Sequence, residues 1–376
     1  MSNLINKVLI IGGGFSGMSA AIQLRKQNIE THLVEIDADW QADGAGISIG
    51  GATLRAFETL GILEEFLEKG STQEALELYA PMGKLLATIP NPKLAGSDVP
   101  TGGAIMRPVL ARIMSQKVIE SGTQVRLGYT YSSIDEDARG VTVSFADGSS
   151  DRFDLVIAAD GIYSKTRELL FPEAPAPEYS GQGVWRAVLP RPATVKNTMM
   201  WMAEHLKTGI NPMSKDEVYL FLTEDKKEKK HVPSEELVST LKKLLQTFPD
   251  PLVQKMSDRI DESSQVILRP IEGMLAPLPW HKGRVVLIGD TVHATSPHLA
   301  SGACIGIEDA IVLAEELNTR DSLDEALTAF EERRFDRCRM VVENSGRLGQ
   351  IEIEGGDKAE HSTIMRESMI ALAKPI

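Results

Sequence analysis

Three glycines near the start of the chain, Gly12, Gly14 and Gly17 in KVLIIGGGFSGMSA (7–20), stand in the G-x-G-x-x-G spacing, and the chemistry of that spacing is capture of a diphosphate. Each has a mechanical reason. Gly12 allows a tight turn, Gly14 lets backbone approach phosphate oxygens, and Gly17 lets a helix pack closely on a strand. From Phe15 and Ser16 to Gln27 the apolar periodicity is helical, so the N–H groups of the first turn and their partial positive charge face the anion. Glu35 ends the next short strand, THLVE, about 20 residues beyond the turn, where a carboxylate accepts from a ribose hydroxyl. The same constellation serves FAD and NAD, so residues 7–35 alone specify a dinucleotide without saying which.

Two later strands also end in acidic turns. DLVIAADGIYSKTR (154–167) delivers Asp160 and Gly161, with Ser164 and Arg167 following at helical spacing. GRVVLIGDTVHATSPHLASGACIGIEDA (283–310) delivers Gly289 and Asp290 to a loop holding His293, Pro297, His298 and Gly302, and a helix read over 303–317 follows with Glu308 and Asp309 inside it.

The elements between these motifs set the architecture. Helices are read over 52–60, 63–69 and 107–120, strands within 76–90, and a hairpin closed at Asp147-Gly148 in VTVSFADGSSDRF. From about 173 to 270 the character changes to alternating strands (VWRAVL, TMMWMA, EVYLFL, QVILRP) around a helix from Ser234 to Thr247, and a polar helical tail closes the chain. The fold class expected is α/β: a Rossmann-like dinucleotide domain built from 1–75, 101–172 and 271–320, an inserted, mostly antiparallel β-sheet substrate domain from 76–100 and 173–270, and C-terminal helices over 321–376.

With 376 residues, 53 acidic against 40 basic side chains and a net charge of −13, the chain repels phosphate backbones, and no nucleic-acid partner is expected. The mixed run DKKEKKH (225–231) reads as a solvated surface loop. Two cysteines, Cys304 and Cys338, frame neither a disulfide scaffold nor a zinc site, and no metal is expected. The chain enters its first strand without a secretory pattern, and no apolar run approaches the roughly 20 residues that cross a bilayer, so a cytoplasmic protein without membrane contact is expected.

Taken together and in order, the three motifs resemble the FAD-dependent aromatic hydroxylases, the single-component flavoprotein monooxygenases of the p-hydroxybenzoate and salicylate hydroxylase type. Arg107-x-x-Leu110 and AFEERR (329–334) belong to the resemblance, which covers nearly the whole chain and is weakest between about 190 and 270. It implies FAD as cofactor and NAD(P)H as co-substrate. It places Gly12, Gly14, Phe15, Ser16 and Gly17 at the pyrophosphate, Glu35 at the adenosine ribose, Arg107 at the ribityl and phosphate region, and Gly289 with Asp290 at a ribityl hydroxyl. Gly46 in the DGAGISIGG loop (43–51), Asp160, and Gly302, Ala303 and Cys304 complete the cofactor set, with Ser48 near the flavin and Ile47 and Ile49 packing on its ring.

The family loop Pro-x-x-Gly-Gln-Gly-x-Asn is here Pro297-His298-Leu299-Ala300-Ser301-Gly302-Ala303-Cys304. Ala300 replaces a glycine, which strains any backbone needing positive φ, and Cys304 replaces the asparagine. The Pro-His-x-Ala variant is similar to 6-hydroxynicotinate 3-monooxygenases and the cysteine to FAD-dependent urate hydroxylases, which tilts the substrate towards a hydroxylated N-heteroaromatic ring.

The activity implied is hydroxylation of an aromatic small molecule with O2 through a flavin hydroperoxide. A base must remove the ring's hydroxyl proton, and histidine ordinarily titrates near neutrality. His298, in the loop expected beside the flavin, is the candidate base or anchor; Arg186 in VWRAVL and Tyr219 in EVYLFL are candidates to hold the substrate. His293 is expected to be structural. The competing readings are an FAD oxidoreductase that does not oxygenate and a non-catalytic flavin-binding regulator; the W-x-W-x-I-P segment of the halogenases is missing. A monomer or homodimer is expected.

Overall fold

The structure is a computed structural model that describes residues 4–41 and 44–376. Val8, Leu9 and Ile10 are fully buried, the pattern of a strand covered on both faces. Lys7–Ile11 accordingly sits inside a six-stranded sheet, in the order His281–Lys282, Val285–Leu287, Leu155–Ala158, Lys7–Ile11, Glu30–Glu35, Gln124–Leu127. Every pairing is parallel except the short edge pair His281–Lys282 with Val285–Leu287. The helix Phe15–Lys26 connects the first two strands in sequence and packs against Gly302–Thr319, an 18-residue helix buried along most of its length.

The hairpin closes at Asp147-Gly148 with Ser144 opposite Ser150, and it gains a third strand, Tyr131–Asp137, that the sequence did not reveal. That strand, YSSIDED, lies largely exposed and carries little apolar alternation.

The larger sheet has seven strands: Val266–Gly273, Glu178–Pro190, Glu217–Asp225, Leu206–Pro212, Thr198–Met202, Ala75–Tyr79, Leu85–Pro90. All pairs are antiparallel except Thr198–Met202 with Ala75–Tyr79. The period of two divides its residues. Trp185, Trp201, Leu220 and Leu222 point to one face and form a core with Leu241, Leu245, Phe248 and Val253 of the covering helices. Arg186, Val188, Tyr219 and Phe221 belong to the other face, where Tyr219, Val188 and Phe221 meet Ala45, Ala104 and Met213. Leu206–Pro212 is a strand missed in sequence because LKTGINP, with Gly209 and Asn211-Pro212, reads as a turn. The helix expected over 234–247 is a 3-10 turn, Ser234–Glu236, followed by an α-helix, Leu237–Leu245.

Between the two large sheets lies a small one, Gly46–Gly50 with Gly102–Met106 and Ser71–Thr72. The polar tail becomes two helices, Leu323–Glu354 and Lys358–Ala373. Ser322 accepts from the N–H of Glu325 to start the first, and Gly355 in the left-handed conformation ends it. No helix among the described residues is long and apolar enough to cross a membrane.

Candidate cofactor and substrate site

The glycines divide by function. A Cβ on Gly12, whose φ is +105°, would collide with the Ala159 carbonyl, and one on Gly17 with the Gly12 carbonyl, so both are required by packing. Gly14 differs. Its φ of −72° suits any residue, a Cβ there would meet nothing within 4 Å, and it is exposed. As N-cap of Phe15–Lys26 it brings no side chain to the free N–H groups of that helix. Glu35 organises the same turn, its Oε2 accepting from Gly13 N at 2.6 Å and its Oε1 from Asp37 N at 2.8 Å, which leaves lone pairs for a ribose hydroxyl. Trp40 donates from Nε1 to the Gly13 carbonyl at 2.8 Å.

Arg107 and Asp290 face this opening. The guanidinium of Arg107 lies 5.5 Å from the centre of the Phe15 ring, and its backbone N–H donates to Ala45 at 3.2 Å. Asp290 begins the short helix Asp290–His293 with its side chain open to the cleft. Crowding by protein raises its carboxyl above the usual range, while His293 and Arg107 pull it back. An uncapped helix N-terminus, a Gly14 cradle that a side chain would fill, an arginine and two carboxylates fit the diphosphate and sugar hydroxyls of FAD.

Several residues expected at the cofactor also have structural partners in the protein. The Ser16 hydroxyl is wedged where a Cβ on Gly289 or Gly306 would stand, so it spaces two helices and a turn. Asp160 accepts from Ser164 Oγ at 2.5 Å, Thr166 N at 3.0 Å and Thr166 Oγ1 at 2.9 Å, fastening its own turn. Arg167, buried, donates to the carbonyls of Thr291 and Ile162 and so ties that turn to the one bearing Asp290. Gly46 lies against Met213, whose Sδ would be 2.5 Å from a Cβ there. Cys304 is buried beside Glu308; burial, then Glu308, pushes its thiol up to about 12, so it stays a neutral thiol turned inward. Gly302 and Ala303 remain half-buried at the start of their helix. Ala300 adopts φ 49°, the strained conformation that the missing glycine would have relaxed.

A largely buried ionic cluster, unassigned in sequence, holds these turns together. Asp309 accepts from Gly289 N at 2.9 Å, His293 Nε2 at 2.5 Å and Arg334 Nε at 2.8 Å, and Glu308 pairs with Arg334 and Arg337. Burial opposes charge on His293, but Asp309 outweighs it and the imidazole is held well above its ordinary pKa. Both cysteines are free and buried.

Arg186 and Tyr219 are brought together as the alternation implies. Val188 pairs directly with Tyr219 and Arg186 with Phe221, so all four share a face. Burial raises the Tyr219 phenol, and the nearby Arg186 guanidinium lowers it in part. Arg186 Nε is buried with no hydrogen-bond partner among the described residues. On the other side of Tyr219, Asn211 donates to Ser48 Oγ at 2.7 Å and accepts from Thr198 Oγ1 at 2.9 Å and from Gln73. Ser48 therefore looks at the large sheet, whereas Ile49 is buried in the core that holds Val8 and Ile10, and half-buried Ile47 packs on that core.

His298 does not join Tyr219 and Arg186 in any contact among the described residues. It sits in the 3-10 turn Pro297–Leu299, its side chain 3% exposed, with Nδ1 2.8 Å from Ser296 Oγ and Nε2 3.4 Å from Glu352. Its ring lies where a Cβ on Gly349 would come within 2.8 Å. Burial lowers its pKa against the pull of Glu352. Glu352 is clamped by Lys207 at 2.6 Å and His361 at 3.2 Å. The loop histidine thus joins the loop to the long helix.

The comparisons agree with this geometry. Residues 6–345 match the family described as FAD binding domain. The 2-heptyl-3-hydroxy-4(1H)-quinolone synthase of Pseudomonas aeruginosa (strain UCBPP-PA14) is 30% identical, over 92% of this chain and 90% of its own. The 6-hydroxynicotinate 3-monooxygenase of Pseudomonas fluorescens is 29% identical over 89% of each. The crystal structure of Klebsiella pneumoniae HpxO complexed with FAD and uric acid superposes with a TM-score of 0.83 at 25% identity, covering 98% of this chain and 93% of that one. With a diphosphate cradle at Gly14, facing Arg107 and Asp290, and a family match across most of its length, the chain belongs to the FAD binding domain family, and FAD is its cofactor.

Proposed function

We propose that this protein is an FAD-dependent monooxygenase that hydroxylates a small aromatic or N-heteroaromatic ring bearing a hydroxyl or oxo group. The overall balance is ring C–H + O2 + NAD(P)H + H⁺ → ring C–OH + NAD(P)⁺ + H2O. FAD, when bound, supplies the oxygen-activating chemistry. The chain's own residues hold and shield the ring. The carrying observation is the Arg186–Tyr219 pair, set among Val188, Phe221 and Met213 and facing Ala45, Ala104 and Met106. In such an apolar wall two convergent polar groups orient a ring oxygen, and the Arg186 guanidinium favours its deprotonated form, which enriches the ring in electrons. The Asn211–Ser48 bond closes one side of the chamber. His298, buried against the long helix, holds its loop in place, and substrate anchoring passes to Arg186 and Tyr219.

The names of the relatives, acting on quinolone and hydroxynicotinate rings, support this substrate class. The test is a panel of hydroxylated pyridines, quinolones, purines and benzoates offered to the FAD-loaded protein under ¹⁸O2. The expected result is substrate-stimulated NAD(P)H oxidation with one labelled oxygen in the product. Oxidised product without label would make the protein a dehydrogenase.

A further inference from the structure

The run 225–231 is a solvated loop, as expected, and four of its residues also line an open cavity of 490 Å³ beside the outer strands of the large sheet. Lys226, Lys229, Lys230, His231 and Arg269 contribute to its wall, and no acidic residue does. Val232, Leu237, Val266 and Ile267 give it an apolar side. The Tyr179 hydroxyl donates to the Lys226 carbonyl at 2.7 Å and fixes the turn. The cavity also reaches Gly44, where a Cβ would lie 3.3 Å from Arg107 Cδ, so it adjoins the cofactor cleft.

We propose that this cavity docks the nicotinamide dinucleotide: its phosphates on Lys229, Lys230 and Arg269, an aromatic end on the apolar side, and the molecule directed past Gly44 towards the flavin. This rests on the monooxygenase reading given above. A protein of net charge −13 draws in a polyanion only through a local surplus of cations. The fingerprint Gly12–Gly17 is committed to FAD, so a second dinucleotide needs side-chain cations instead of a glycine loop. Lys229 and Lys230 now pair with Glu272 and Glu228, both at 2.7 Å, but their side chains are 52% and 75% exposed. Such pairs are weak and exchange readily for phosphate. Arg269 is exposed and has no ion-pair partner among the described residues.

The test uses the FAD-loaded protein with Lys229→Gln, Lys230→Gln and Arg269→Gln combined, and a control carrying Lys229→Arg and Lys230→Arg. Calorimetry with 2′-phospho-ADP-ribose and ADP-ribose reads docking without turnover; stopped-flow reduction by NADPH and NADH reads it in the reaction. The neutral variant should weaken the tighter analogue and the matching nicotinamide by about 10- to 100-fold and flatten the salt dependence. FAD occupancy, the KM of the aromatic substrate and the reduction rate at saturating nicotinamide should stay unchanged, and the arginine control should bind like wild type. Unchanged nicotinamide affinity, or a loss that falls on the aromatic substrate, would overturn the site. Charge-dependent analogue binding without NAD(P)H oxidation by wild type would instead retain the site and discard the monooxygenase reading.

Discussion

The guanidinium of Arg186 lies against the phenol of Tyr219, on neighbouring strands of the large sheet and on the face turned to the first domain. Removing either partner strands the other in an apolar wall. Tyr219→Phe and Arg186→Met should each lower kcat/KM for the aromatic substrate by about 10- to 100-fold, the worth of a hydrogen bond to a charged group. The double variant should cost less than the product of the two, because both act on one ring oxygen. Steady-state kinetics with FAD occupancy measured in parallel checks this; an effect confined to melting temperature would leave the pair a packing feature.

Gly14→Val should fold normally and lose FAD. The backbone there accepts a side chain, and nothing in the protein meets its Cβ, so only the cofactor registers the change. Unaltered circular dichroism together with a colourless protein is the expected result, and full flavin absorbance would contradict the assignment.

The glycine loop was readable because its parts are local: turn, helix start and carboxylate lie within 35 residues and each needs a particular residue type. Arg186 and Tyr219 were readable from strand alternation. Asn211 was hidden because an Asn-Pro pair disguises its strand, and Glu352, the partner of His298, and Lys207, which clamps Glu352, lie 54 and 91 positions from His298 in sequence, where spacing carries no information. Which face of the strand Gly46–Gly50 is buried was not readable, since a strand bracketed by glycines gives no hint of it.

Ala300→Gly should stabilise the protein. Left-handed backbone costs a non-glycine residue about 1–2 kcal/mol, and the extra freedom of glycine in the unfolded chain returns roughly 0.4–1 kcal/mol of that. The net gain of about 0.5–1 kcal/mol should appear as a rise of about 1–2 °C in Tm.

Asp309→Asn should destabilise the fold by about 3–5 kcal/mol by breaking the buried network, removing the counter-charge of His293 and leaving Arg334 with Glu308 alone. The pH dependence follows from the two shifts. Held down to about 2, Asp309 contributes stability above the ordinary carboxylate pKa and loses it as pH falls towards 2. His293, held above its ordinary value, contributes below about pH 6.5 and loses its contribution as pH rises through its folded pKa. Urea unfolding from pH 3 to 9 should show wild type losing stability on the acid side, with the variant flatter there.

The six-stranded sheet joins a strand at residues 7–11 to one at 155–158 and that to one at 285–287, and Asp309 closes the turn at Gly289. During synthesis, then, the amino-terminal diphosphate loop emerges long before the residues that wall its cleft. A nascent chain halted at residue 280 holds Glu35 and Arg107 but lacks Asp290 and the helix that packs on Phe15–Lys26. Flavin capture consequently belongs to the end of translation, and a ribosome-bound intermediate exposes an unfinished parallel sheet that a chaperone would have to cover.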